Sequence, residues 1–150
     1  MFLATHGILR SGGSAIPFTD IYSFEYDGVN DYLDCGDSNN LSFGDSINDS
    51  PFSISAWVKM ADATKFRIAS KYGTSGIEYS LATGCTDLLT FNTYDNSNSS
   101  RIGRQYSTPL TSLENQWVHI VGTYSGNQNV GSFKIYINGV RVDDTNSSVG

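Results

Sequence analysis

The sequence predicts an all-β fold in which two antiparallel sheets pack face to face. Charged residues make up only 16% of the chain and aromatic residues 13%, and Gly occurs 15 times. This composition is typical of short strands joined by turns, so we expect almost no helix. A second observation is the apolar alternation of residues 52–58, and a third is the Asn-Gly pair inside the apolar run 133–142. A chain of 150 residues can form one domain with a real core and needs no disulfide or metal to fold.

The first predicted strands flank a tight turn. Residues 22–26 and 32–35 lie on either side of residues 27–31, where Asp-Gly and Asn-Asp pairs favour a turn. The polar residues 36–50 then form a surface loop. The strand at residues 52–58 follows, and its alternation directs one set of side chains into the core: Phe52, Ile54, Ala56 and Val58.

The remaining strands follow with regular turns between them. We predict them at residues 66–70, 77–82, 88–93, 102–106 and 117–124, and in a hairpin over residues 133–142. Trp117–Tyr124 carries apolar residues on both faces, which is typical of a central strand. In the hairpin, Asn138 and Gly139 accept positive φ and favour a type I′ turn. The residues expected to be among the most buried are Phe52, Ile54, Trp57, Ile120, Phe133 and Ile135.

Several of these segments, taken in order, resemble one family of sandwich domains. They are Tyr-Asp-Gly-Val-Asn-Asp-Tyr-Leu-Asp-Cys-Gly at residues 26–36, Phe-Ser-Ile-Ser-Ala-Trp-Val-Lys at 52–59, Ile-Ala-Ser-Lys-Tyr-Gly at 68–73, Gln-Trp-Val-His-Ile-Val-Gly-Thr-Tyr at 116–124 and Lys-Ile-Tyr-Ile-Asn-Gly at 134–139. Together they are similar to the laminin-G-like branch of the concanavalin A-like lectin/glucanase superfamily. The resemblance implies an antiparallel two-sheet jelly-roll sandwich.

The resemblance also implies that the sandwich is C-terminally incomplete. Domains of this family usually continue with further strands, one of which pairs beside the strand at residues 24–27, and the sequence after Val142 lacks such a strand. One sheet edge is therefore expected to stay unpaired. Either the sequence is part of a longer protein, which we favour, or another chain supplies the missing strand.

Residues 1–20 differ in character from the sandwich domain expected at residues 21–150. Residues 11–15 form a flexible Gly/Ser spacer, and the arm before it carries the apolar side chains of Phe2, Leu3, Ile8 and Leu9. Such an arm either docks onto an assembly partner or is a disordered tail, and the sequence favours neither. The N-terminus lacks the pattern of a secretory signal, and no apolar run reaches membrane-spanning length.

The two cysteines, Cys35 and Cys85, permit at most one disulfide. We expect both to be small, reduced core residues, because a protein folded in a reducing cytosol seldom oxidises them. Neither histidine has zinc-ligand spacing to either cysteine.

No arrangement of residues predicts catalysis. The glucanases of the resembled superfamily place two glutamates, separated by an aspartate, along one strand. Glu25, Glu78 and Glu114 of this chain are instead far apart in sequence. His119 lies inside an apolar strand and is expected to be a hydrogen-bonded structural residue. The chain is therefore not expected to be an enzyme, and its net charge of −6 argues against nucleic acid as the main partner.

The sequence offers one candidate cofactor, which is calcium. Asp27, Asn30 and Asp31 offer oxygen ligands of the kind Ca²⁺ prefers, and the resemblance implies such sites at the rim of the sandwich. The alternative, which we favour, is that these side chains only build the turn by bonding local amides.

A candidate glycan site comes from residues at or near predicted loop ends. Aromatic rings suit the apolar face of a sugar, and planar amides suit its hydroxyls. The residues that offer this chemistry are Tyr72, Tyr94, Asn96, Asn98 and Tyr106. The alternative is that the tyrosines only border the core, with their hydroxyls in water.

These expectations together favour non-catalytic recognition or structural display. Cytoplasmic synthesis, an adhesive type of fold and a docking arm fit a phage virion component, such as a fibre or decoration protein. We expect it to form a homo-oligomer on the virion surface, attached to other virion proteins through its arm, and to present the domain to host glycans. The alternatives are a carbohydrate-binding module of a larger secreted adhesin or polysaccharide-degrading enzyme at the cell surface, and a glycosidase.

Overall fold

The computed structural model describes residues 22–44, 47–73 and 76–148, apart from the side chains of residues 72 and 73. Its strands, in chain order, are β1 Phe52–Lys59, β2 Arg67–Gly73, β3 Gly76–Thr83, β4 Leu89–Asp95, β5 Ser100–Gln105, β6 Trp117–Tyr124, β7 Phe133–Ile137, β8 Val140–Arg141 and β9 Thr145–Asn146. Short 3₁₀ helices cover Asn39–Leu41, Leu110–Leu113 and Val130–Ser132. No helix among the described residues has the length and apolar character needed to cross a membrane.

The strands form two antiparallel sheets. The four-stranded sheet has the order β1-β6-β7-β8, and the five-stranded sheet has the order β2-β3-β4-β5-β9. The chain divides into two compact units, Met1–Gly36 and Asp37–Gly150, and every named strand belongs to the second. The prediction of an all-β fold with two antiparallel sheets is therefore confirmed.

The core lies between the inner faces of the two sheets, and Phe91 joins them. Its ring on β4 meets Phe52 of β1 edge-on at 5.5 Å and Phe133 of β7 at 5.5 Å. Gly122 on β6 makes room for that ring, since a Cβ there would lie 2.9 Å from an atom of Phe91. A larger residue at this position would force the Phe91 ring to shift.

Four of the predicted core residues are buried: Phe52, Ile120, Phe133 and Ile135. Ile54 is only half-buried, and the prediction for Trp57 is wrong because its side chain is 63% exposed. Alternation along β1 puts Trp57 on the same outer face as Ser53 and Ser55. A side chain at an outward position of the strand stays exposed even when it is large and apolar.

Strand β6 has the position that its two-sided apolar pattern predicts. It lies between β1 and β7, and Trp117–Tyr124 is also the predicted range. The hairpin from β7 to β8 turns at Asn138 and Gly139, whose φ angles are 50° and 81°. Positive φ at both central positions is the geometry that an Asn-Gly pair favours.

The predicted strands at residues 22–26 and 32–35 are wrong. Residues 22–36 contain no strand and are exposed throughout, with Phe24 at 75%. A strand exists only where a neighbour completes its backbone hydrogen bonds, and the alternating pattern of this segment cannot supply that neighbour. The core positions expected for Cys35 and Cys85 are also wrong, because both are exposed free thiols.

Candidate functional site

A groove of about 480 Å³ opens at one end of the sandwich, between the two sheets. The start of β1 and the end of β6 bound it on the side of the four-stranded sheet, and the start of β3, the end of β4 and the start of β5 bound the other side. Its lining is Phe43, Gly44, Asp49, Phe52, Glu78, Tyr79, Thr93, Tyr94, Asp95, Asn96, Ser100, Arg101, Ile102, Tyr124 and Gln128.

Aromatic rings form the apolar part of this groove. Phe43 stacks on Phe52, with ring centroids 4.3 Å apart and an interplanar angle of 10°. Tyr79 tilts against both rings, at 5.7 Å from Phe43 and 4.9 Å from Phe52. The contacts fix these side chains against one another, so the groove has a rigid apolar surface.

Asp49 and Tyr124 form the polar part on the side of the four-stranded sheet. The Tyr124 hydroxyl donates a hydrogen bond to Oδ2 of Asp49 and accepts one of 3.1 Å from the backbone amide of Gln128. Burial, and next the bond to Asp49, raise the pKa of Tyr124 well above its ordinary value. Tyr124 therefore stays protonated and holds the loop that carries Asp49 against β6.

Glu78 and Lys71 form an ion pair on the side of the five-stranded sheet. Lys71 Nζ lies 2.6 Å from Oε1 of Glu78 and 2.9 Å from Oδ1 of Asp37, and its side chain is only 6% exposed. Hydrogen bonds to Asp37 and then to Glu78 raise the pKa of Lys71. Ser42 joins the cluster, since its Oγ accepts a 2.8 Å bond from Nζ. The pair anchors the loop at residues 37–42 to strands β2 and β3.

The loop between β4 and β5 is held by Asp95. Its Oδ1 accepts hydrogen bonds from the hydroxyl of Ser97 at 2.5 Å and the amide of Ser97 at 3.0 Å. Its Oδ2 accepts a 2.6 Å bond from Nδ2 of Asn98. The side-chain bonds from Ser97 and Asn98 lower the pKa of Asp95, so the carboxylate stays ionised. Asn96 donates through Nδ2 to the carbonyl of Ile77 at 2.9 Å, which ties the loop to β3.

The structure brings together part of the predicted glycan site. Tyr94 and Asn96 line the groove, and the hydroxyl of Tyr94 lies 3.2 Å from Oγ of Ser80. Asn98 belongs to the same loop, but its side-chain amide is bonded to Asp95. Tyr72 lies in β2 opposite Ile77, close in register to this end of the sheet, and its side chain is outside the described residues.

Tyr106 lies at the other end of the five-stranded sheet. Its amide donates to the carbonyl of Leu89, the first residue of β4, while Tyr94 is near the last. At ~3.4 Å per residue, the two tyrosines are separated by about 17 Å along the strand. Tyr106 also packs against the core. Tyr94 and Tyr106 therefore lie at opposite ends of the five-stranded sheet, because residues at loop ends in the sequence can fall at either end of a sheet.

Sequence reasoning missed Asp49, Arg101 and Gln128. Of the three, only Arg101 could have been found from the local sequence, because it directly follows the polar loop that contains Asn96 and Asn98. Its Nε donates to the carbonyl of Ser147 at 3.3 Å. Asp49 and Gln128 come from loops that are distant in sequence, and only the pairing of β1 with β6 brings those loops together.

The turn at residues 27–31 has the hydrogen bonds of the favoured interpretation. Oδ1 of Asp27 accepts from the amides of Val29, Asn30 and Asp31 at 2.8, 3.1 and 3.2 Å. The amide of Asp27 donates to Oδ2 of Asp31 at 2.9 Å. The backbone bond from Val29, followed by that from Asn30, lowers the pKa of Asp27. In the part of the chain that is described, no group of three or more His, Cys, Asp or Glu side chains could hold a metal, and calcium at Asp27, Asn30 and Asp31 stays a prediction.

The predicted assembly arm, with Phe2, Leu3, Ile8 and Leu9, lies outside the described residues. His119 is bonded as expected for a structural histidine: its Nε2 lies 2.9 Å from Oγ of Ser55, and its ring stacks on Trp57 at 5.0 Å.

A family model described as the concanavalin A-like lectin/glucanases superfamily, and named for the laminin G domain, matches residues 27–150. The chain belongs to this superfamily. The match agrees with the sandwich of two antiparallel sheets. Searches of curated proteins and of solved structures gave no significant match.

Within the concanavalin A-like superfamily, the carboxylates decide whether catalysis is chemically supported. Glu78 is paired with Lys71, and Oε1 of Glu114 accepts a 2.9 Å bond from the amide of Ala63. A retaining glycosidase needs one carboxylic acid whose pKa is raised, so that it can protonate the leaving group. The pKa of Asp95, a carboxyl of the groove, is shifted in the opposite direction.

Proposed function

We propose that this protein is a non-catalytic recognition module that binds a glycan in the groove between its sheets. The observation that carries the proposal is the composition of that groove, in which stacked aromatic rings adjoin hydrogen-bonding side chains in a volume of about 480 Å³. Flat rings suit the apolar face of a pyranose, and carboxylates and amides suit its hydroxyls. A neutral sugar residue fits this chemistry.

The charge of the lining favours a neutral glycan over an acidic one. The groove contains the carboxylates of Asp49, Glu78 and Asp95 against the guanidinium of Arg101. Glu78 shares Lys71 with Asp37, and Asp49 and Asp95 would repel a uronic or sialic acid. Arg101 donates through Nε to Ser147, and its terminal nitrogens can donate to sugar hydroxyls.

A glycan array followed by titration of the best neutral ligand tests the proposal. Phe43→Ala should weaken binding about five- to thirtyfold, because it removes a ring of the groove and one stacking surface is worth roughly 1–2 kcal/mol. Tyr136→Ala is the matched control: it removes an aromatic side chain, also half-buried, from the outer face of the four-stranded sheet and should leave affinity unchanged. Equal losses in the two variants, or no glycan bound at millimolar concentration, would refute the groove as the site. Release of reducing sugar from the bound glycan would refute the non-catalytic role.

We also propose that the module is displayed on a phage virion, as a fibre or decoration protein, and faces host glycans there. The apolar residues Phe2, Leu3, Ile8 and Leu9, separated from the domain by a Gly/Ser spacer, support attachment through the arm. Deleting residues 1–10 should leave the circular dichroism of the sandwich unchanged and abolish incorporation into the assembly. A domain that unfolds without the arm, or full incorporation of the deletion variant, would favour a secreted adhesin module instead.

A further inference from the structure

The outer face of the four-stranded sheet carries both tryptophans of the chain. Trp57 on β1 is 63% exposed, and Trp117 on β6 is 52% exposed. Tyr136 of β7 lies on the same face, because it pairs with Val121, which is two residues along β6 from His119, the partner of Trp57. Large aromatic side chains gathered on one exposed face are typical of an interaction surface.

This face is separate from the groove and from the edges of the sheet. None of its aromatic residues lines the groove. Strands β1, β6 and β7 form the face, and a further strand beside β1 or β8 would pair with a backbone edge. Such a strand would extend the face and leave its side chains in place.

The same face is positively charged although the protein is acidic. Its exposed cations are Lys59, Lys134 and Arg141, and strands β1, β6, β7 and β8 contain no Asp or Glu. Arg141 contacts the buried Asp143, which also contacts Arg104, and these three groups together leave one positive charge. The chain as a whole has a net charge of −6. This separation of charge favours an anionic partner for the face.

Trp57 and His119 stand side by side on the sheet. Their ring centroids are 5.0 Å apart with an interplanar angle of 22°, and this separation is close to the ~4.8 Å between neighbouring strands. Oγ of Ser55 lies 2.9 Å from Nε2 of His119 and fixes that ring. One face of the indole is therefore covered and cannot stack on a sugar. An upright indole suits the boundary between water and lipid, where its apolar body and its N–H meet different surroundings.

The cations are spread across the face and do not surround one point. Lys59 lies opposite Trp117 and Lys134 lies opposite Thr123, six residues further along β6. With ~3.4 Å per residue along the strand and ~10 Å across two strand spacings, the Cα atoms of the two lysines are about 22 Å apart. A single small anion cannot contact both lysines, whereas a layer of lipid headgroups can contact every cation of the face.

We propose that the outer face of the four-stranded sheet binds the surface of a bilayer that contains anionic lipids. Its cations contact the anionic headgroups, and Trp57, Trp117 and Tyr136 lie among the headgroups. The attachment is peripheral and uses the side chains of this face only. It is independent of the groove and of the ligand proposed there.

Tryptophan fluorescence of the full-length chain tests the proposal, because both tryptophans lie on the face. Vesicles of phosphatidylcholine with about one third phosphatidylglycerol should shift the emission to shorter wavelength. Brominated phosphatidylcholine in the same vesicles should quench this emission, since quenching requires contact with the lipid. Vesicles of phosphatidylcholine alone, and dextran sulfate as a soluble polyanion, should leave the emission unchanged.

Co-sedimentation with the same vesicles tests the charges. Lys134→Gln should weaken binding about fivefold, the contribution expected of one cation near an anionic surface. Lys65→Gln is the matched control: it removes an exposed charge that precedes β2 of the other sheet and should weaken binding less than about twofold. Trp57→Thr, which keeps a residue that favours strands, should weaken binding and leave the circular dichroism unchanged. No co-sedimentation, equal losses in the two lysine variants, unquenched emission of bound protein, or the same emission shift with dextran sulfate would overturn the proposal.

Discussion

Replacing the buried Asp143 should destabilise the sandwich more than replacing any one of the exposed carboxylates that the structure describes. Its side chain is fully buried and accepts hydrogen bonds from both sheets. Oδ1 accepts from the amide of Ile135 and from Nε of Arg141, each at 2.9 Å. Oδ2 accepts from Nη2 of Arg141 at 2.9 Å and from Nε of Arg104 at 3.0 Å. Arg104 lies on β5 and Arg141 on β8, so this carboxylate joins the two layers.

The size of the effect follows from what Asp143→Ala leaves behind. The amide of Ile135 loses its partner, which costs about 1–3 kcal/mol when the group is buried. Arg104 is 18% exposed and regains little hydration, whereas Arg141 is 49% exposed and can turn to water. Breaking a buried ion pair costs about 3–5 kcal/mol, and the exposure of Arg141 favours the lower end. We expect a loss of about 3 kcal/mol, or roughly 10 °C in Tm.

Urea unfolding of the two variants Asp143→Ala and Asp144→Ala measures this. Asp144 is the adjacent residue and also accepts hydrogen bonds, from the amide and the hydroxyl of Ser107, but it is exposed and needs no partner to stay hydrated. Its loss should be much smaller. Equal destabilisation of the two variants would refute the claim that burial and the contacts to both sheets make Asp143 important.

The contribution of Asp143 to the stability of the unmodified protein depends on pH with a defined sign. Burial alone would raise the pKa of Asp143, but hydrogen bonds from Arg141, Ile135 and Arg104 outweigh it and hold the pKa below its ordinary value. The unfolded chain therefore takes up this proton first as pH falls. The stability from Asp143 is complete above the unfolded pKa of about 4 and is lost as pH falls through the folded value. Asp143→Asn should flatten this acid limb.

Two further predictions concern the core and the turn. Ile135→Ala should cost about 2–5 kcal/mol by leaving a cavity, while Trp57→Ala, at an exposed site, should cost less than about 1.5 kcal/mol; the reverse order in urea unfolding would contradict the phase of β1. Asp27→Ala should accelerate hydrogen exchange at the amides of Val29, Asn30 and Asp31, which its Oδ1 holds. If calcium also binds there, millimolar Ca²⁺ should slow that exchange and chelator should reverse the effect. Exchange that is insensitive to both would refute calcium binding at this turn.

Strand prediction succeeded where a partner strand exists and failed where none does. Residues 22–26 and residues 52–58 both alternate apolar and polar side chains, and only the second segment is a strand. Alternation specifies which side chains could face a core, but the neighbour that completes the ladder is a property of the whole chain. Trp57 shows a different error, because it was predicted to be buried although its position in the alternation points outward. Phase alone, applied without regard to size, puts Trp57 on the outer face.

Only those residues of the candidate site that belong to one local segment of the sequence could be predicted. The polar loop after β4 identified Tyr94 and Asn96, which do line the groove. Tyr106 follows the next strand and has the same local signature, but antiparallel pairing puts it at the other end of the sheet. Asp49 and Gln128 reach the groove through the register of β1 with β6, which pairs Phe52 with Tyr124. That register is a contact between segments about seventy residues apart. The acidic character of the groove, from which we propose a neutral ligand, therefore depends on the fold and cannot be predicted from any single motif.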